Sequence, residues 1–293
     1  MNIQIKLAII SILVVIPLSS IAVYGTESSL QLTPAENSKL QVISSFYPLH
    51  EFTQIVGGEK VDAILLVPAG VEPHDWEPTI KDVQRMQSAD FIVINGIGFE
   101  NWVDSLAENN YQGIIVDTSK GVTSKHYSDP HIWLNPAYAI KQVQNIALAF
   151  SNHDPENEEF YHANAVRYSE KLHSLDTKIR NELSQCNHDF ITFHDSFSYF
   201  AKEYDLNQHT IIQTNNFHGE VTAKTLENTI SIAKKFNVKV IFSEENISSK
   251  SSEVIANEIG ANVLVLSTLE SVSDGTYISK MTENLDNFKE ALC

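Results

Sequence analysis

Residues 154–185 read DPENEEFYHANAVRYSEKLHSLDTKIRNELSQ, with no Gly and, after Pro155, no Pro. Asp154 followed by Pro155 has the form of a helix N-cap with proline at the first helical position. Tyr161, Ala165, Tyr168, Leu172, Leu175, Ile179 and Leu183 then recur every three or four residues, which makes one apolar stripe along a helix. Residues 155–185, at about 1.5 Å each, would form a rod of roughly 45 Å. A flexible linker would be rich in Gly and Ser, so this segment is expected to join its neighbours stiffly.

On either side of the rod the pattern changes in the same way. Short β-branched and aromatic runs at Gln41–Phe46, Val61–Val67, Phe91–Asn95 and Gly113–Asp117 precede it. Similar runs follow at Phe190–Phe193, Thr210–Gln213, Lys239–Ser243 and Asn262–Leu266. Between them lie stretches of helical period, including Thr79–Gln87, Asn135–Phe150, Val221–Phe236 and Ser252–Ile259. Strands that alternate with helices imply parallel sheets covered on both faces. The expected fold class is therefore α/β: two parallel-sheet lobes, 39–153 and 186–293, joined by one long rigid helix over 154–185.

The chain has 293 residues, with 20 Lys and Arg against 37 Asp and Glu, a net charge of −17. That balance argues against a nucleic-acid partner, which needs clustered positive charge. Eleven histidines accompany two cysteines, too few thiols for a cysteine-built zinc module. Residues 1–25 have one Lys ahead of an apolar run from Leu7 to Val23, then small residues, the layout of a signal peptide or an N-terminal anchor. No Cys follows the run, so a lipobox anchor is not expected. Residues 26–38 are polar and read as a flexible tether. The expected location is exported and extracytoplasmic, with tethering by the N-terminus left open. In that compartment Cys186 and Cys293 either pair or stay as two separate thiols.

Three histidines stand in loops that should open onto a crevice. His74 follows the strand Val61–Val67, in a loop stiffened by Pro68, Pro73 and Pro78. His131 lies between Pro130 and Pro136, just ahead of a helix. His194 follows Phe190–Phe193, and Asp195 is expected to cap the next helix. Ligands of open parallel sheets bind outside the carboxyl ends of the strands, where such residues sit. Three neutral imidazoles can hold Zn²⁺ with a fourth position to spare. The other histidines are weaker. His162 and His173 belong to the solvated face of the long helix, His126 and His218 to loops, and His50, His153, His188 and His209 have no evident partner.

These motifs resemble the metal-binding subunits of zinc and manganese ABC transporters, the cluster A-I solute-binding family. The resemblance runs from Gln41 to Leu292 and is carried by several blocks. Phe46-Tyr-Pro-Leu49 and Pro68-Ala-Gly-Val-Glu-Pro-His-Asp-Trp-Glu-Pro78 come first, then Ala89-Asp-Phe-Ile-Val-Ile-Asn-Gly96 with Glu100-Asn-Trp102. Asp129-Pro-His-Ile-Trp-Leu-Asn-Pro136, His194-Asp-Ser-Phe-Ser-Tyr-Phe200 and Ile241-Phe-Ser-Glu244 complete it. The resemblance implies capture of a divalent metal ion between two lobes and delivery to a membrane ABC permease, by a monomer that is not an enzyme. It also implies that His74, His131 and His194 are the first three ligands. Histidine rather than a carboxylate at the third position points to Zn²⁺, with Mn²⁺ the alternative.

The chain departs from the family pattern twice. Ser267, in Leu266-Ser-Thr-Leu269, stands where the family usually places an aspartate ligand. Serine is a poor zinc ligand at neutral pH, so water, Glu270 or Glu244 would complete the sphere, Glu244 matching a position that more often supports than ligates. On the same ground Ser267→Asp is expected to tighten binding or shift it towards manganese. The loop before His131 is short, so auxiliary metal capture there is not expected. Two other classes stay open: a zinc hydrolase with Glu72 or Glu77 as general base, and an adhesin.

Overall fold

A computed structural model describes residues 39–68, 70–108, 111–122, 129–212, 222–245, 249–270 and 274–293. The export signal and tether read over residues 1–38 lie outside them. Eight strands among the described residues form two four-stranded sheets, parallel throughout. In the first, β1 (Leu40–Ser44), β2 (Val61–Leu65), β3 (Phe91–Ile94) and β4 (Ile114–Asp117) lie in the order β2-β1-β3-β4. In the second, β5 (Asp189–Thr192), β6 (Asn207–Thr210), β7 (Val240–Glu244) and β8 (Asn262–Leu266) repeat that order as β6-β5-β7-β8. Every residue of the inner strands β3 and β7 is buried, because helices cover both faces.

Those helices are α1 (Tyr47–Gly57), α2 (Ile80–Gln87), α3 (Val103–Glu108), α4 (Pro136–His153) and α5 (Glu158–Leu183), then α6 (Ser198–Glu203), α7 (Ala223–Phe236), α8 (Lys250–Ile259) and α9 (Tyr277–Leu292). Local chemistry sets their ends. Thr79 and Asp82 close a capping box on α2, and the Asn135 side chain accepts from Ala137 N with Pro136 in the first turn of α4. Asn237 and Gly260 end α7 and α8 in the left-handed conformation those residues tolerate.

α5 has 26 residues, roughly 39 Å of rod. All seven positions of its stripe are buried. One apolar cluster runs from Val42 and Phe91 through that stripe to Phe190, Phe242 and Phe288, so the helix carries a core that both sheets share. The helix starts later than Asp154. Asp154 Oδ2 accepts from Asn157 Nδ2 at 2.7 Å and from the Tyr161 hydroxyl at 2.7 Å. With its carboxylate held there, residues Pro155–Asn157 form a separate 3-10 turn. On the seam between the sheets, the Glu51 carboxylate of α1 accepts from Tyr168 OH of α5 at 3.0 Å and from the Tyr277 amide of α9 at 2.7 Å.

Strand β6 also differs from expectation. It occupies the polar stretch Asn207–Thr210 at a sheet edge, paired Asp189↔Asn207 through Thr192↔Thr210. Ile211 and Ile212, whose apolar character drew the expected strand to 210–213, extend past the ladder and donate to Thr192 O and Phe193 O. Residue 213 lies outside the described residues. Cys186 and Cys293 are joined in a disulfide that ties the end of α9 to the residue three past α5.

Candidate metal centre

The carboxyl ends of both sheets face the seam, and each histidine of the predicted trio reaches it by a different route. After β2, the amides of Leu66 and Val67 pair with Ser44 O and Ser45 O. The chain then turns through the 3-10 segment Pro73–Asp75 that carries His74. Glu72 accepts the His74 amide at 3.3 Å, and the imidazole stands edge-on to Phe99 at 4.7 Å.

His131 is fully buried. Asp129 Oδ1 accepts both its backbone amide, at 3.0 Å, and its Nδ1, at 2.8 Å. Asp129 is itself held by the Ser198 hydroxyl at Oδ2 and by Tyr199 OH on its carbonyl. Asn95, at the end of β3, donates to Pro130 O at 2.8 Å and is braced by Gln142 at 3.0 Å.

His194 leaves the end of β5 and is pinned by Glu244 at the end of β7. The carboxylate takes the amide at 3.0 Å and Nδ1 at 2.5 Å. The N-cap residue of α6 is Phe197 and not the expected Asp195: the helix begins at Ser198, and Phe197 packs in the core 5.8 Å from Phe288.

The three imidazoles converge with Glu270. Their Nε2 atoms and a Glu270 oxygen lie within 4.8 Å of one another. His131 Nε2 is 3.2 Å from His74 Nε2 and 3.4 Å from His194 Nε2. Glu270 Oε1 is 3.4 Å from His74 Nε2 and 3.5 Å from His131 Nε2. A tetrahedron of donors about 2.0–2.1 Å from a zinc ion has edges of about 3.3–3.4 Å. Four of the six edges therefore match one already.

The hydrogen bonds select the tautomers. Nδ1–H of His131 and His194 is committed to Asp129 and Glu244, which turns both Nε2 atoms inwards. That is the carboxylate–histidine arrangement that orients metal ligands and raises their basicity. The buried Glu270 Oε1 has no hydrogen bond. Among the described residues, the ion pairs of Asp129, Glu244 and Glu270 are all with histidines. A set of buried carboxylates around inward Nε2 atoms suits a cation.

Charge states follow the same layout. Burial lowers the imidazole of His74 below its usual value despite Glu270 beside it. Burial alone would do the same to His131, but Asp129 and Glu270 outweigh it and hold that imidazole up to about 10. Burial would raise Glu270, yet His131 and His74 keep it well below the usual carboxylate range. Glu72 is pushed up to about 8 by burial and by the charge of Glu270.

Of the four possibilities for the fourth position, the structure brings Glu270 to the cluster. Glu244 engages the far side of His194, and Ser267 Oγ donates to Glu245 at 2.6 Å. The supporting Asp129 was not singled out from sequence; an acid two residues before a proline-flanked histidine was its only signal. The remaining histidines lie elsewhere: His162 and His173 are exposed on α5, His209 pairs with Asp189, His188 bonds Asp205 O, and His153 packs on Phe91. His50 is half-buried on α1. His126 and His218 fall outside the described residues.

The family described as "Zinc-uptake complex component A periplasmic" (ZnuA) matches residues 42–291. The high-affinity zinc uptake system protein ZnuA of Bacillus subtilis is 38% identical over 299 residues, covering 93% of each chain. The crystal structure of the metal-dependent lipoprotein YcdH of Bacillus subtilis superposes with a TM-score of 0.79 at 41% identity, over 87% of this chain and 99% of that one. The Zn(II)-bound ZnuA-like domain of Streptococcus pneumoniae AdcA does so with a TM-score of 0.78 at 34% identity, over 86% and 98%.

Proposed function

We propose, on the premise that this chain belongs to the ZnuA family of zinc-uptake components, that it captures Zn²⁺ as cargo between its two lobes and delivers it to an ABC permease in the membrane. The observation that carries this reading is the cluster of His74, His131, His194 and Glu270, with edges of 3.2–3.5 Å and inward Nε2 atoms. Three imidazoles with a single carboxylate favour zinc over manganese, which prefers harder oxygen-rich sites. Each domain end supplies part of the sphere: His74 and His131 come from the lobe over 39–153, His194 and Glu270 from the lobe over 186–293.

The location that fits is outside the cytoplasm. The Cys186–Cys293 disulfide belongs in an oxidising compartment, and no described helix is long and apolar enough to cross a membrane. Residues 1–25 act as the export signal in this reading. Four protein donors leave no open coordination position, whereas a catalytic zinc keeps one for water. That favours binding over hydrolysis.

Elemental analysis of the purified protein, followed by competitive Zn²⁺/Mn²⁺ titration, tests the proposal. Binding of one zinc per chain, tighter than manganese, supports it. Preferred manganese, or metal-dependent esterase turnover, overturns it.

A further inference from the structure

Trp133 lies two residues after His131 and is fully buried. Its ring meets His131 at 5.2 Å, Phe46 at 4.7 Å and Phe99 at 5.3 Å. None of these contacts uses its indole N–H, which instead crosses the seam to donate to Thr268 O at 2.7 Å. The carbonyl of Trp133 in turn accepts from the Tyr277 hydroxyl of α9 at 2.6 Å. Two bonds in opposite senses therefore tie the His131 turn to the opposite lobe.

Thr268 stands two residues before Glu270. Between them Leu269 is held at φ 57°, the left-handed region that a leucine adopts only when its surroundings impose it. From its own lobe the segment is gripped by Asn284, which accepts from Ser267 N at 2.8 Å and donates to Ser267 O at 2.7 Å. The turn at Leu269 then aims the Glu270 carboxylate back at the histidines. Two backbone groups are anchored just before that turn: the Leu269 amide donates to Ser267 Oγ at 3.3 Å, and Thr268 O is held from the other lobe by Trp133.

We propose that Trp133 is the positioning residue for Glu270: its cross-lobe hydrogen bond to Thr268 O fixes the left-handed turn that places the carboxylate beside His74 and His131. This rests on the reading of Glu270 as the fourth donor. The partner of a metal ligand acts at one remove from the metal, and loss of such a partner typically weakens binding about 10–100-fold. Because the bond is made within the protein itself, it is present before the metal arrives.

A double-mutant cycle in the full chain tests this. Zinc affinity is measured by chelator competition for wild type, Trp133→Phe, Glu270→Gln and the double variant, with folding checked by circular dichroism. Trp133→Phe keeps a ring and removes the donor. It should weaken zinc binding about tenfold in wild type and less than about twofold in the Glu270→Gln background. Equal weakening in both backgrounds, or none in wild type, overturns the inference. Unchanged affinity in Glu270→Gln alone overturns instead the assignment of that ligand.

The unmutated indole N–H provides a second readout that does not depend on the Phe variant folding. In protein labelled with ¹⁵N-tryptophan, assigned through Trp76→Phe and Trp102→Phe, the Trp133 Nε1–H should resist solvent exchange without zinc as well as with it. Rapid exchange in the metal-free protein would show that no such preset bond exists.

Discussion

Nε2 of His131 lies 3.2 Å from Nε2 of His74, while Nδ1 of His131 is committed to Asp129 at 2.8 Å. Against its burial, Asp129 and Glu270 hold the His131 imidazole up to about 10, so without metal it carries a proton at neutral pH. When zinc binds, that proton must leave. Calorimetric titration at pH 7.5 in buffers of different ionisation enthalpy should therefore report about one proton released per zinc. Affinity should rise by roughly tenfold per pH unit over pH 7–9. Buffer-independent heats would contradict this.

The same proton makes the metal-free protein sensitive to alkali. A folded-state value raised from 6.5 to about 10 contributes stability that is fully present below pH 6.5 and is lost as pH rises through 10. The melting temperature of the chelated protein should fall between pH 7 and pH 9.5. Zinc saturation should remove the fall, because the metal replaces the proton. A chelated protein whose melting temperature rises over that range would be inconsistent with a charged His131.

Substitutions at the cluster should separate ligand from support. His131→Ala removes a donor that no neighbour replaces and should weaken zinc binding by more than about 100-fold, since even supporting partners cost about 10–100-fold. Asp129→Asn leaves His131 in place but removes the charge that raises it. Affinity should fall about 10–100-fold, and proton release at pH 7.5 should drop below one. Retention of full proton release in Asp129→Asn would disconnect that carboxylate from His131.

Ser267→Asp looks from sequence like the restoration of a missing ligand. The structure changes that expectation. Ser267 Oγ donates to Glu245 at 2.6 Å and is buried, so an aspartate there meets a like charge. The variant should lose melting temperature and gain no zinc or manganese affinity. Tighter binding of either metal in chelator competition would show that the segment can rearrange to present residue 267.

Much of this was legible in the chain itself, and the reasons are physical. The α5 stripe could be read because seven residues at helical spacing all bury, which leaves a periodic trace. His74, His131 and His194 stood out because prolines or strand ends fix their loops. Strand β6 did not, because Asn207–Thr210 is a polar edge strand and the apolar pair beside it drew attention three residues along. Glu270 was one of several possibilities, because its arrival depends on the left-handed turn at Leu269 and on the bond from Trp133 in the other lobe. Neither leaves a mark on local sequence.

The most direct measurement is a crystal structure of the protein loaded with one equivalent of zinc, with anomalous data collected on both sides of the zinc edge. One strong peak is expected at the seam, about 2.0–2.2 Å from Nε2 of His74, His131 and His194 and from a Glu270 oxygen. A peak elsewhere, or a zinc bound by the histidines with Glu270 turned away and water in its place, would contradict it.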